Sequence, residues 1–452
     1  MWQLKQKPVS PNGLKSVRRL LRQSFFLLSE LFMKSIIILF LLGLNLFAQK
    51  GFDDLFLNKT LRFNFYHVGN STTEQIVFDE LIEEPIWGGR KSNLIDTLNL
   101  GEYKFSLFDE NKTEIYSKGF STLFKEWQTT KEAKELLRSY SGAVIFPYPK
   151  GEVTLKIFTR NRKNIFEEIY SLNIDPNNYF IRKGNEDKYE TERIKYSGDS
   201  SEKYDIVFIP EGYTESEMNK FISDCDTLAN YLFKYEPFAQ LENQFNIWAV
   251  KAPSKESVCD IPAEDIWGNT LLNSSYYTFD SERYLMTKDY HKVCDVAANA
   301  PYDQIYILAN SKKYGGGAIF NYYSLTVTND PKFKEIFVHE LGHGLAGLAD
   351  EYAYDTTFAD YFPKGVEPWE KNITTLAHFS TKWEKEVDAD TPIPTPTDSL
   401  YRNKIGVFEG AGYVTKGVYR PTYNSIMREL SAKEYNKVSQ DAIREVIFFY
   451  SK

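Results

Sequence analysis

His339, Glu340 and His343 are the residues whose types and spacing could do chemistry together, because they form His-Glu-x-x-His within residues 338–352. On a helix, residues four apart lie one above the other, so the two imidazoles would share a face. At that spacing they can grip one Zn²⁺, and the glutamate between them can act on a water held by the ion. The chain has only 5 histidines beside 62 acidic residues. Chance supplies the pattern about 0.01 times in a chain of this composition, so two unrelated surface histidines explain it poorly. Further on stand two adjacent carboxylates, Asp350 and Glu351, three and four residues after Gly347.

The elements around the motif must hold it still. Phe333, Ile336 and Phe337 put an apolar face on the turns before His339, as a buried helix needs. Gly347 is placed to stop that helix. A helix with two ligands, a glycine turn and a third ligand three residues later resembles the metzincin plan, usually His-Glu-x-x-His-x-x-Gly-x-x-His or Asp. Here Gly347 and Asp350 both fall one residue late. The run is similar to the bacterial secreted family of zinc metallopeptidases named for an IgA peptidase. That family carries His-Glu-x-x-His-x-x-x-Gly-Leu-x-Asp-Glu-Tyr, and every fixed position is matched from His339 to Tyr352. The resemblance implies Asp350 as third ligand, with Glu351 as the alternative. It also implies that Ser425-Ile426-Met427 is a Met-turn, in which Met427 forms an apolar floor under the metal and is not a ligand.

Net charge is −8 and 42% of residues are hydrophobic, a globular balance that argues against nucleic acid as a partner. Residues 1–48 read as a targeting segment. Met33, Lys34 and Ser35 precede an apolar run at 36–47, with Ala48 as a small residue for cleavage. That run is too short to span a bilayer. Met33 is the expected true start, and the mature chain is expected to be exported, whether secreted, periplasmic or on the cell surface, without a stable membrane span. Export permits disulfides. Of the 3 cysteines, Cys225 falls on an apolar helical face, whereas Cys259 and Cys294 are candidates for a pair. His67, His291 and His378 lack ligand-like spacing and read as structural or surface residues.

The expected fold has two domains. Residues 49–185 read as an all-β sandwich: Leu61, Phe63 and Phe65 alternate with Arg62, Asn64 and Tyr66, and similar patterns recur at 103–107 and 153–157. One short helix is expected at 130–138. A scaffold role for this domain is favoured over a binding module, since fold alone does not give function. Residues 176–203 are charged and turn-rich and form the boundary. Residues 200–452 read as an α/β metzincin-like zinc peptidase domain, with strands at 204–212, 245–250 and 303–308 and a helix at 215–232 before the zinc helix.

Gly315, Gly316 and Gly317 open a close-approaching backbone stretch. No Gly-Lys-Ser/Thr is present, so phosphate cradling is not indicated. By resemblance to metzincin-like enzymes, residues 317–322 are the edge strand above the cleft, with Gly317, Ala318 and Ile319 taking the main chain of an extended substrate. An ordinary hairpin turn is the alternative. Tyr413, Tyr419 and Tyr423 could each lend a hydroxyl.

Together these readings imply hydrolysis of a protein or peptide substrate, with Zn²⁺ as cofactor and Glu340 as general base. A glycoprotein or immunoglobulin substrate follows only from the resemblance. The rivals are a zinc hydrolase of another amide or ester, and a secreted binding protein that keeps zinc without turnover. Oligomeric state leaves no mark in the sequence.

Overall fold

Alternation in the first third of the chain produces strands. A single turn, α1 (Phe52–Leu55), leads into β1 (Phe56–Gly69), β2 (Glu74–Glu84), β3 (Tyr103–Phe108), β4 (Glu114–Phe120), β5 (Arg138–Pro149), β6 (Val153–Arg160), β7 (Phe166–Ile174) and β8 (Arg182–Lys183). The computed structural model describes residues 51–184, 187–354 and 361–451. The targeting segment expected at 1–48 lies outside the described residues. The eight strands make two four-stranded sheets, ordered β5-β1-β2-β8 and β4-β3-β6-β7. Residues i and i+2 of a strand face the same way. Phe63 and Phe65 of β1 therefore meet Phe105 of β3 and Leu155 and Ile157 of β6 in one apolar core.

The helix expected at 130–138 lies elsewhere. Helix α2 spans Leu123–Trp127, where Thr122 caps it by accepting from the Lys125 N–H at 3.3 Å. Leu123, Phe124 and Trp127 are buried there. From Arg138 onward the backbone is taken by the antiparallel ladder to β1, which leaves Leu136 and Leu137 exposed and only a 3-10 turn at Glu132–Lys134. Tertiary pairing overrides local propensity here.

A third sheet, of six strands, supports the helix that bears the motif. It contains β9 (Glu190–Lys195), β10 (Tyr204–Glu211), β11 (Phe245–Lys251), β12 (Gln304–Ala309), β13 (Gly316–Ile319) and β14 (Tyr323–Val327), in the order β13-β14-β12-β10-β11-β9. The inner strands run parallel and both edge strands antiparallel. β9 arises from the stretch read as a charged boundary. As an edge strand it carries Glu190, Glu192, Arg193 and Lys195, so it lacks the apolar signal of a buried one.

Helices α3 (Met218–Leu232), α4 (Tyr290–Ala297), α5 (Phe333–Ala346) and α6 (Lys437–Tyr450) complete this part. Ile206 and Phe208 of β10 pack with α3, α5 and α6, while Val207 and Ile209 pack with α4. Both faces are covered, which is why β10 reads as a continuous apolar run. Leu123, Phe124, Trp127 and Tyr140 join the core on the α4 side. Arg62, whose alternation suggested a solvated face, is buried and pairs with Glu84 at 3.1 Å and with Asp295 of α4. Cys225, Cys259 and Cys294 are all free and buried, so the candidate pair does not form. Among the described residues no helix is long and apolar enough to cross a membrane.

Candidate metal centre

Helix α5 is apolar almost all round, so it is enclosed rather than laid on the surface. Two glycines permit the enclosure. A Cβ at Gly344 would fall 2.1 Å from Ser324 Oγ of β14, and one at Gly342 would fall 3.0 Å from Met427 Sδ. Gly347 ends the helix in the left-handed region, at φ 59°. Its N–H donates to His343 O at 2.9 Å and the Leu348 N–H to Gly342 O at 3.2 Å. That reversal is the glycine stop expected from the sequence, and it turns the chain back toward the histidines.

The turn brings Asp350 to His339 and His343, with their ligand atoms all within 4.8 Å of one another. The two Nε2 atoms lie 3.1 Å apart. Asp350 Oδ1 lies 3.1 Å from His339 Nε2 and 3.4 Å from His343 Nε2. His339 Nδ1 meets the Ile426 carbonyl at 2.9 Å and His343 Nδ1 meets the Leu348 carbonyl at 2.5 Å. A carbonyl oxygen only accepts, so each Nδ1 carries the hydrogen and each neutral ring turns an Nε2 lone pair inward. Asp350 Oδ1 is buried without a hydrogen-bond partner of good geometry. Lone pairs converging in a buried space repel unless positive charge sits among them, so this donor set fits a metal ion.

The electrostatics show the same demand for positive charge: without an ion, a proton on His343 supplies it. Burial alone would lower the His343 pKa, but the Asp350 carboxylate and then Glu340 outweigh it and raise it to about 9. Burial pulls the Asp350 pKa upward, yet the two imidazoles prevail and hold it below the usual carboxylate range. Burial pushes the Glu340 carboxyl above its ordinary range, with the imidazoles opposing and Asp350 adding to the rise. Glu340 is half-buried and leans toward β13: a Cβ on Gly316 would lie 3.5 Å from its Cγ.

The edge strand expected at 317–322 begins at Gly316 and ends at Ile319, and it is also one arm of a hairpin with β14. Its outer side is already engaged at Gly316, where the N–H donates to Arg283 O at 3.2 Å and the carbonyl accepts from Leu285 N–H at 3.4 Å. Gly317 and Ile319 are buried and Ala318 is half-buried.

Loops build the opposite wall. Glu351, the alternative ligand, is absent from the cluster. Its carboxylate accepts from Ser425 Oγ at 2.6 Å, Asn372 Nδ2 at 2.9 Å and Asn436 Nδ2 at 2.8 Å, and its N–H donates to Met427 O at 2.8 Å. Met427 is fully buried beneath α5 at Gly342. Of the three tyrosines, Tyr413 reaches the cluster, donating to Asp350 Oδ2 at 2.5 Å. Tyr419 pairs through its backbone with Thr374, and Tyr423 packs on Phe408. His67 meets Glu74, His291 faces the Phe65 and Gly142 carbonyls, and His378 is exposed.

Two neighbours of the site carried no sequence signal. Tyr284 donates its hydroxyl to Glu126 of α2. Burial raises Glu126 to about 8, and it senses the charges of His343 and Glu340. Each is a single residue outside any motif, brought in by tertiary packing.

Two imidazoles and a carboxylate converging beside a glutamate, on a helix under a mixed sheet, define a metallopeptidase. Comparison with known families assigns it more closely. A model of the IgA Peptidase M64 family matches residues 193–404 and 397–447, and a model of the Peptidase M64 N-terminus matches residues 51–171. The chain belongs to the IgA peptidase M64 family, and with that come a hydrolase activity, a metal cofactor and a protein substrate. No curated protein is detectably similar to the chain.

Proposed function

We propose that the chain is an exported, zinc-dependent endopeptidase. The observation that carries this reading is the convergence of His339 Nε2, His343 Nε2 and Asp350 Oδ1, with Glu340 beside them. Two nitrogen donors and one oxygen donor suit Zn²⁺, whose catalytic sites take three protein ligands and leave one position open. When bound, zinc would supply Lewis acidity, acidifying water and polarising the scissile carbonyl. The chain's own residues do the rest. The Ile426 and Leu348 carbonyls fix the imidazole tautomers. Glu340 takes the proton of the attacking water and returns it to the leaving amine. Burial raises its carboxyl above the ordinary range. Met427 acts as the apolar floor, and Gly317, Ala318 and Ile319 offer main chain to an extended peptide.

The same reading takes 49–185 as a β-sandwich scaffold and 200–452 as a metzincin-like catalytic domain, within one compact unit of residues 52–452. The two sheets around a shared core, and the parallel strands beneath α5, support it. Residues 1–48 serve as the export signal. The family's name makes immunoglobulin A the first glycoprotein to assay.

The test is cleavage of a peptide library by the mature chain, beside a chelated sample and Glu340→Gln. Glu340→Gln should bind one zinc and lose activity on the order of 10³-fold. Full activity in the chelated sample, or in Glu340→Gln, would overturn the mechanism.

A further inference from the structure

We propose that Tyr413 is a positioning residue for the metal: it holds the Asp350 carboxylate so that Oδ1 alone is offered to the ion. This inference rests on reading His339, His343 and Asp350 as the ligands. Asp350 Oδ1 is the atom 3.1 and 3.4 Å from the two imidazole nitrogens, while Oδ2 accepts the Tyr413 hydroxyl at 2.5 Å. A ligating carboxylate free at both oxygens can rotate or chelate. A charge-assisted hydrogen bond to one oxygen removes that freedom and fixes which lone pair faces the metal.

The backbone is built to deliver this hydroxyl. Tyr413 lies at the tip of a hairpin made by β15 (Phe408–Ala411) and β16 (Val414–Arg420). The tip is fastened to the ligand loop by Gly412 N–H to Asp350 O at 2.9 Å and Tyr413 N–H to Tyr352 O at 3.0 Å. Tyr413 also forms a parallel bridge with Ala353 and stacks edge-on against Tyr352, with centroids 5.5 Å apart. Its φ is +68°, a left-handed conformation that non-glycine residues rarely adopt. Such strain persists where the surroundings over-determine it, and here they aim a phenol at a ligand. The positive φ belongs to the two-residue turn Gly412-Tyr413 between the paired residues Ala411 and Val414; a tyrosine present only to fill space would not need the aimed hydroxyl.

The experiment compares the mature full chain with Tyr413→Phe, which keeps the ring. Zinc affinity is measured by competition with a chromogenic chelator, and the visible spectrum is recorded after loading with Co²⁺. Melting of the metal-free protein is followed in parallel. Wild type should bind one equivalent of zinc. Tyr413→Phe should bind it about 10–100-fold more weakly, the usual loss when a residue supporting a ligand is removed. Its cobalt bands should shift, its metal-free melting should change little, and at saturating metal kcat should fall with KM nearly constant. The cobalt spectrum reads only folded, loaded protein, so partial unfolding cannot imitate the result. Zinc affinity within twofold of wild type together with identical cobalt bands would overturn the role of Tyr413. A folded wild type that binds no metal would instead overturn the metal-centre reading beneath it.

Discussion

The two walls of the metal cluster are made in opposite ways. One wall is a stretch of α5, where His339, Glu340 and His343 are placed by helical geometry alone. The other has no regular structure of its own. Asp350 and Glu351 share one loop, Tyr413 and Met427 come from two others, and hydrogen bonds between residues 63, 74 and 85 positions apart hold them. The helix wall bears the chemistry and inherits its shape. The loop wall bears one ligand and must have its shape made by side chains. Changes to the first should therefore alter reactivity with little loss of fold, and changes to the second should loosen fold and metal binding together.

Glu351→Ala tests this most severely. The substitution removes the acceptor shared by Ser425, Asn372 and Asn436, all buried; Asn372 keeps its bond to Ala349 O, but the Ser425 hydroxyl and the Asn436 amide lose theirs. Each buried donor left unsatisfied costs about 1–3 kcal/mol. Denaturant unfolding of the metal-free protein should show that loss, and zinc affinity should fall with it because the ligand loop loses its side-chain bond to Ser425, two residues before the floor residue Met427, and keeps only the backbone bond from Glu351 N–H to Met427 O. Unchanged stability would mean that the loop wall is held by something other than this carboxylate.

The same contrast explains what the sequence revealed. The helix wall was legible because His339 and His343 lie one turn apart and Gly347 marks the stop; periodicity is a local property. Asp350 and Met427 were reached through resemblance to a family, since nothing local distinguishes Asp350 from Glu351. What distinguishes them is direction. Glu351 points into a polar knot with Asn436, the N-cap of α6, and that partner is far along the chain. Tyr413 could not be ranked above Tyr419 and Tyr423 because its importance comes from a strained turn and from two backbone bonds to the 350–352 loop. The displaced helix at α2 and the unforeseen β9 fail for the same reason. Leu123, Phe124 and Trp127 became helical where they could bury, and the residues of β9 became a strand because β11 needed an edge partner.

Gly342→Ala probes the seam where the walls meet. The added Cβ would lie 3.0 Å from both Met427 Sδ and the Tyr435 ring. In a helix alanine is intrinsically better than glycine by roughly 1 kcal/mol, so an isolated helix would gain. Overpacking at a full contact costs about 1–3 kcal/mol, and the floor is rigid because Tyr435 donates its hydroxyl to Val338 O. The expected net effect is a loss of about 1 kcal/mol, read by thermal or denaturant unfolding, with zinc weakened less than in Glu351→Ala. A gain in stability would show that the loop wall yields to the helix, and the rigid-floor picture would have to be given up.

Glu351→Gln gives the smallest effect and the finest test, because it separates burial from hydrogen bonding in the loop wall. Burial raises the Glu351 carboxyl above the ordinary range, and the bonds from Ser425, Asn372 and Asn436 oppose the rise only in part. A carboxyl with a raised folded pKa holds its proton more tightly in the folded state. Its contribution to stability is thus full below the unfolded pKa and is lost as pH rises through the folded one. Glutamine does not titrate and keeps one acceptor, although its amide now faces the Asn436 donor. The variant should be less stable than wild type by about 1 kcal/mol at acid pH, with the gap narrowing as pH rises through the folded pKa of Glu351 and wild type alone loses stability. Unfolding titrations of both metal-free proteins across that range would measure the gap. A gap that widens with pH would mean that the ionised carboxylate is the preferred form, so that hydrogen bonding outweighs burial and the loop wall is held by charge.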